Sequence, residues 1–109
     1  IEGRKRFFYP PYSRVILITF RHKLKEVAGA ASMQFAEALK MEFENWIIGP
    51  AEPAVNRIRN QFLMEILLKL PKDANLIHRC KQTIHQQIVT MHLDKRFRSV
   101  VIIPDVDPV

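Results

Sequence analysis

WIIGPAEPAVNRIRNQFLMEILLK, Trp46 to Lys69, is the stretch that decides the fold. It consists of two apolar runs joined by a proline-punctuated, basic connector, the pattern of two antiparallel strands carrying a cationic loop. The first run, Trp46-Ile47-Ile48, is expected to stop at Gly49-Pro50. Pro53 then delays a return to regular structure, because proline lacks a backbone donor and fixes φ. The connector ends near Asn60, and Gln61 to Leu70 is strand-like again. Alternation places Glu65 and Lys69 on one face with Leu63 and Leu67, and Phe62, Met64, Ile66 and Leu68 on the other. Arg57 and Arg59 stand two residues apart at the mouth of this strand, so an extended backbone would aim both the same way.

Before this unit, Val15 to Phe20 is a β-branched and aromatic run, predicted as a strand that ends at Arg21-His22-Lys23. Lys25 to about Asn45 has apolar residues at steps of three and four (Leu24, Ala28, Ala31, Phe35, Ala38, Leu39), with Glu26, Glu37, Glu42 and Glu44 on the wet side, a helix. After the unit, Pro71 closes the strand and Asp73 is placed to cap a second helix from about Ala74 to His92. The stripe of that helix is Ile77, Cys80, Ile84, Ile88 and Met91. Asp94 to Arg98 is a charged turn, and Ser99 to Ile103 a last strand that ends at Pro104-Asp105-Val106-Asp107-Pro108. The order β-α-β-β-α-β predicts an α+β, ferredoxin-like two-layer sandwich with both helices on one face of a four-stranded antiparallel sheet. Residues 1–14 form a basic and aromatic arm, residues 15–109 a single domain, and the open sheet face is left for a partner.

Composition narrows the function classes. A chain of 109 residues, 48% hydrophobic and 26% charged, suits one soluble domain with a real core. No apolar run approaches the roughly 20 residues of a membrane span and no signal peptide is evident, so a cytoplasmic location and no membrane partner are expected. The single cysteine, Cys80, forms no internal disulfide and belongs to a helix stripe, where packing is its expected role. A net charge of +6 favours an anionic partner. Residues 1–25 carry seven Lys or Arg against Glu2 alone, residues 26–55 one against five acids, and residues 56–109 nine against five. A merely solvated basic surface is the bland alternative.

Chemistry of its own is not indicated. The three glycines, Gly3, Gly29 and Gly49, are isolated, and there is no phosphate-binding GxxxxGK[ST] loop. His78, His85 and His92 recur at sevens on the second helix, but two turns is roughly 10.5 Å, too far for two imidazoles to share one metal. Asp105 and Asp107 alternate near the end of the chain without a third acid or a histidine, which suits backbone or arginine pairing better than a cation site. Phe7, Phe8, Tyr9 and Tyr12 are interleaved with Arg4, Lys5, Arg6 and Arg14, a composition fit for stacking on bases and neutralising phosphates, although such clusters also seal core edges.

Three segments together carry a resemblance: RKRFFYPPYSR at Arg4 to Arg14, GPAEP at Gly49 to Pro53 followed by basic residues and FLMEILLK, and DVDP at Asp105 to Pro108. In this order and spacing they resemble the C-terminal domain of the bacterial primosomal protein N′ (PriA) replication-restart helicases. Ile1 to Arg4 also spells a protease site used to release expression tags, but Arg4 and Lys5 match the Arg-Lys that the family carries before its YPP. The resemblance implies a fold like that of ribosomal protein S10 and binding of branched or single-stranded DNA. It also implies contacts with single-stranded DNA-binding protein and other primosome proteins. It further implies a parent that is an ATP-dependent 3′-to-5′ helicase, with its ATP and magnesium site and its zinc-binding cysteines upstream of the matching region, and no cofactor in this fragment. One departure stands out: many members have an arginine-rich connector ending in Tyr-Arg-Trp-Gln, where this chain has Arg57-Ile58-Arg59-Asn60-Gln61-Phe62. Fewer cations imply a weaker phosphate grip there.

The residues expected to contact DNA are Arg57 and Arg59 first, then Arg14, Arg21, Lys23 and Arg98. Two alternatives remain at this point. One is a structural module that braces the motor domains and helps to bind the acidic tail of single-stranded DNA-binding protein. The other is a free-standing ferredoxin-like domain for a small effector, which would need a pocket outside the sheet.

Overall fold

The long second apolar run lies inside the sheet, and everything else is arranged about it. The computed structural model describes residues 13–53 and 57–106, with the backbone alone for Ser13, Arg57 and Ile58. Residues 1–12, connector residues 54–56 and the terminal residues 107–109, with Asp107 among them, lie outside the described residues. The elements are β1 (Ser13–His22), α1 (Lys25–Phe43), one 3-10 turn (Glu44–Trp46), β2 (Ile47–Ala51), β3 (Arg57–Ile58), β4 (Gln61–Pro71), α2 (Ala74–Leu93) and β5 (Val101–Val106). The sheet order is β2-β4-β1-β5, with two-residue β3 added beside β4, and every pairing is antiparallel. This is the ferredoxin-like α+β sandwich expected from the element order.

Alternation explains why one face holds the helices. Ile16, Ile18 and Phe20 of β1, Ile66, Leu68 and Leu70 of β4, and Ile102 of β5 are buried. They form one cluster with Phe35, Leu39 and Phe43 of α1 and Ile77, Cys80, Ile84 and Met91 of α2. Phe20 and Phe35 meet edge to face at 5.2 Å between ring centres, a preferred aromatic geometry. The small residues Ala28, Ala31 and buried Ser32 let α1 approach the sheet. The Ser32 hydroxyl donates to the Gly29 carbonyl at 2.9 Å, so it enters the core already satisfied. Asp73 caps α2 as its position predicts, accepting from the N–H groups of Asn75 and Leu76 at 3.0 and 3.3 Å. Among the described residues no helix is long and apolar enough to cross a membrane.

Several boundaries differ from the sequence expectation, each for a local reason. Gly49-Pro50 does not end β2; the strand continues to Ala51 through a register shift between Ile48 and Ala51. Gly49 makes this irregularity possible. Its φ is +104°, and a Cβ there would stand 3.1 Å from the Glu65 carbonyl oxygen of the neighbouring strand, so only glycine fits without strain. Pro104 likewise does not end β5, which runs to Val106. Because β5 is an edge among the described residues, pairing there with β1, a proline opposite Ile18 is tolerated in it. α1 stops at Phe43 rather than Asn45 and tightens into the 3-10 turn. Trp46 belongs to that turn rather than to a strand and packs, half-buried, on the core. Leu24 is exposed, standing before α1 instead of on its stripe.

Candidate nucleic-acid interface

The last residues of the connector pair with the start of β4. Arg57 pairs with Phe62 and Ile58 with Gln61. The two residues between, Arg59 and Asn60, have φ of 53° and 65°. A two-residue hairpin loop with both central residues left-handed is the type I′ turn, whose twist matches that of the strands it joins. Arg57 and Arg59 therefore do not share one extended segment: Arg57 is a strand residue, and Arg59 sits at the turn, where alternation no longer holds.

Strand register then determines which cations come together. Arg57 is level with Phe62 and His22, and the next row holds Leu63, Arg21 and Val101. Lys23 follows directly from β1 at this end, the Arg59 turn lies just beyond it, and Arg98 sits in the turn leading into β5. Five of the six expected contacts, Arg21, Lys23, Arg57, Arg59 and Arg98, thus collect at one end of the sheet. Arg14 does not join them. It is level with Leu70 at the opposite end, seven extended residue steps from Arg21, roughly 23 Å.

The turn carrying Arg98 is well braced. Phe97 and Val100 are buried, the Phe97 N–H donates to the Asp94 carbonyl at 3.0 Å, and the Val100 N–H donates to the Phe97 carbonyl at 3.1 Å. His92 donates from Nε2 to the Val100 carbonyl at 2.9 Å. Arg96 is committed to this brace: its backbone N–H reaches Asp94 at 2.9 Å, its guanidinium pairs with the same carboxylate at 3.1 Å, and it lies 4.7 Å over the Phe97 ring. These hydrogen bonds hold the Asp94 carboxyl below its ordinary pKa. Lys25 is also engaged, with Glu52 at 3.0 Å. Among the described residues, the side chains of Lys23, Arg59, Lys95 and Arg98 have neither a hydrogen bond nor an ion pair and are exposed. Lys95 lies in the charged turn that the sequence marks at Asp94 to Arg98, and its charge alone does not single it out there.

At the root of this end lies His22, 7% exposed. Its Nδ1 accepts the Leu24 N–H at 3.0 Å, so Nε2 carries the ring proton and donates to the Ser99 hydroxyl at 2.8 Å. Arg21, by contrast, is partly buried on the open sheet face, and its Nε has no hydrogen-bond partner.

The open face itself is aliphatic. Val15, Leu17 and Thr19 of β1 line up with Lys69, Leu67 and Glu65 of β4, flanked by Ile48 of β2 and by Ile103 and Asp105 of β5. Ile48 is 53% and Ile103 43% exposed. None of these described residues is aromatic.

The remaining groups are inert or isolated. Burial, with the Glu42 carboxylate nearby, pushes the Cys80 thiol up to about 11, the state of a packing residue. Among the described residues no three metal-capable side chains converge. Between α2 and β5 is an apolar recess of about 140 Å³ lined by Ile16, Ile84, Ile88 and Val106, with Lys81 and His85 at its rim. It is smaller than the roughly 300 Å³ at which small-molecule sites begin. A shallow depression of about 490 Å³ runs along the outer side of α2 past His78 and His85.

Comparison with known proteins agrees with this architecture. Over 75 residues, 67% of its length, the chain is 33% identical to the "Probable replication restart protein PriA" of Deinococcus radiodurans, and it spans 8% of that relative. Its fold is similar to that of a de novo designed protein, Foldit4, with a TM-score of 0.60 at 15% identity, covering 86% of this chain and 94% of that one. The family described as the primosomal protein N C-terminal domain matches residues 5–109. A match over almost the whole sequence, on a fold of the expected order, means that this chain belongs to the primosomal protein N C-terminal domain family.

Proposed function

We propose that this chain is the DNA-binding and docking domain of a replication-restart helicase, one that acts in the cytoplasm on branched or single-stranded DNA together with other primosome proteins. The observation that carries the proposal is the gathering of Arg21, Lys23, Arg57, Arg59 and Arg98, distant in sequence, at one end of the sheet. Phosphates are the natural partner of such a rim, since each cation placed near one releases counterions. These cations support recognition of backbone charge, since phosphate contacts position a nucleic acid without reading its bases. Hydrolysis of ATP, with its magnesium, and binding of zinc belong in this proposal to the parent protein outside this chain.

Fluorescence anisotropy of labelled single-stranded and forked DNA, titrated with the chain at several salt concentrations, tests it. Five contacts to a single strand predict a slope of log K against log salt of roughly −3 to −4. The proposal fails if binding at low ionic strength is absent or insensitive to salt, and if the pair Arg57→Ala and Arg59→Ala leaves the fork affinity of the parent protein unchanged.

The aliphatic open face supports a second role in the same chain, docking against protein. The exposed Ile48 and Ile103 flank Leu17 and Leu67 in a way that water alone does not favour. Single-stranded DNA-binding protein is the partner to test. A titration of its acidic tail peptide against this chain, and against the parent, separates a site within the domain from a composite one. No signal in either would remove this partner. A free-standing effector domain is disfavoured by family membership.

A further inference from the structure

The cationic end is assembled from separate segments, and one buried imidazole joins two of them. Lys23 lies between His22 and Leu24, and His22 Nδ1 closes that segment by accepting the Leu24 N–H at 3.0 Å. On its other side the same ring donates to Ser99 at 2.8 Å, next to Arg98. Phe97 and Val100 are anchored in the core, but Arg98 and Ser99 between them are exposed. Among the described residues the His22–Ser99 bond is the hydrogen bond that ties this exposed pair to β1. It spans 77 positions in sequence. Lys23 and Arg98 thus stand on segments joined through His22, and Arg21, the residue before it in β1, faces the open side of the sheet at the same end.

We infer that His22 is a positioning residue for DNA binding: through Ser99 it fixes where Arg98 stands relative to Arg21 and Lys23, so that the three engage the phosphates of one strand together. This rests on the proposed DNA-binding function. A buried histidine that merely satisfies a helix start would need only the Leu24 bond, and the second bond, to an exposed serine, is what the positioning role explains. Preorganised cations bind with less ordering cost than cations on segments that move independently. Loss of the tie should therefore show as loss of a phosphate contact rather than of the fold.

The test uses the whole chain and a labelled single-stranded oligonucleotide. Ser99→Ala removes the acceptor and leaves the Leu24 bond in place. His22→Asn offers a second route, since its shorter amide oxygen remains within reach of the Leu24 N–H but its side chain no longer reaches Ser99. Both should weaken binding by about three- to tenfold at low salt and flatten the salt slope by about 0.7, one phosphate's share on a single strand. Arg98→Ala should do the same, the double variant Ser99→Ala with Arg98→Ala should lose no more than either alone, and Ser99→Thr should restore wild-type binding. A lower melting temperature with an unchanged salt slope in both tie variants would make His22 purely structural and overturn the inference while leaving DNA binding intact. An Arg98→Ala variant that binds like wild type would overturn it as well. If the wild-type chain shows no salt-dependent binding, the DNA-binding proposal itself fails, and the inference with it.

Discussion

Arg59 occupies a backbone conformation that suits it poorly. A left-handed φ of 53° costs a branched-out L-residue on the order of 1 kcal/mol, and asparagine or glycine is the usual occupant of the first position in such a turn. Asn60, beside it, follows the rule. An arginine kept at a strained, exposed turn points to a use for its charge. Arg59→Gly is therefore expected to stabilise the fold by about 0.5–1 kcal/mol in chemical denaturation while weakening DNA binding, opposite signs from one substitution. Gly49 is the converse case: Gly49→Ala places a methyl group 3.1 Å from the Glu65 carbonyl oxygen at φ +104°. It should cost about 1–3 kcal/mol by the same measurement. Cys80, with its thiol raised to about 11, should resist alkylation at pH 8 until the chain unfolds. Because its folded pKa lies above the ordinary 9.0, its burial stabilises the fold in full below pH 9, and that contribution fades as pH rises towards 11.

At the level of elements, the helices and central strands were legible in the sequence because periodicity reports burial directly. Ile16, Ile18 and Phe20 alternate, as do Ile66, Leu68 and Leu70, and the α2 stripe from Ile77 to Met91 keeps its helical step. Local stop signals were less dependable. Gly49-Pro50 and Pro104 look like terminators in one dimension, yet both lie on edge strands, and whether a strand is an edge depends on the order β2-β4-β1-β5, a tertiary property. Capping at Asp73 was legible, since it needs only the two N–H groups that follow. Asp73→Ala should destabilise the chain by about 1 kcal/mol in urea denaturation. The Asp94–Arg96 brace makes a prediction about acid. The Asp94 pKa is depressed in the fold, so its stabilising contribution is complete above the ordinary 3.8 and is lost as pH falls through the lowered folded value. Amide shifts of Arg96 and Phe97 followed by NMR during acidification should accordingly move only below the usual carboxylate range.

Across the whole molecule, the candidate interface was legible in part. The cations could be named from the sequence, but their company could not. Arg14 and Arg21 sit in the same run, and only strand pairing shows that they occupy opposite ends of the sheet. The tie between His22 and Ser99 leaves no trace in either segment alone. If DNA lies at the end that holds Lys23, Arg59 and Arg98, Lys23→Ala should flatten the salt slope by about 0.7 on single strands, whereas Arg14→Ala should leave it unchanged. Equal effects from the two would mean a diffuse positive field rather than a site. The position of Trp46 has a practical outcome. It is the sole tryptophan, it packs half-buried on the core, and it precedes Ile47, which is level with Leu68 towards the end of the sheet opposite to the five gathered cations. Its fluorescence should shift to the red when the chain unfolds and stay constant while DNA is added. The protein thus contains an optical probe of its own integrity that is blind to its ligand, so loss of binding in any variant can be separated from loss of structure in the same cuvette.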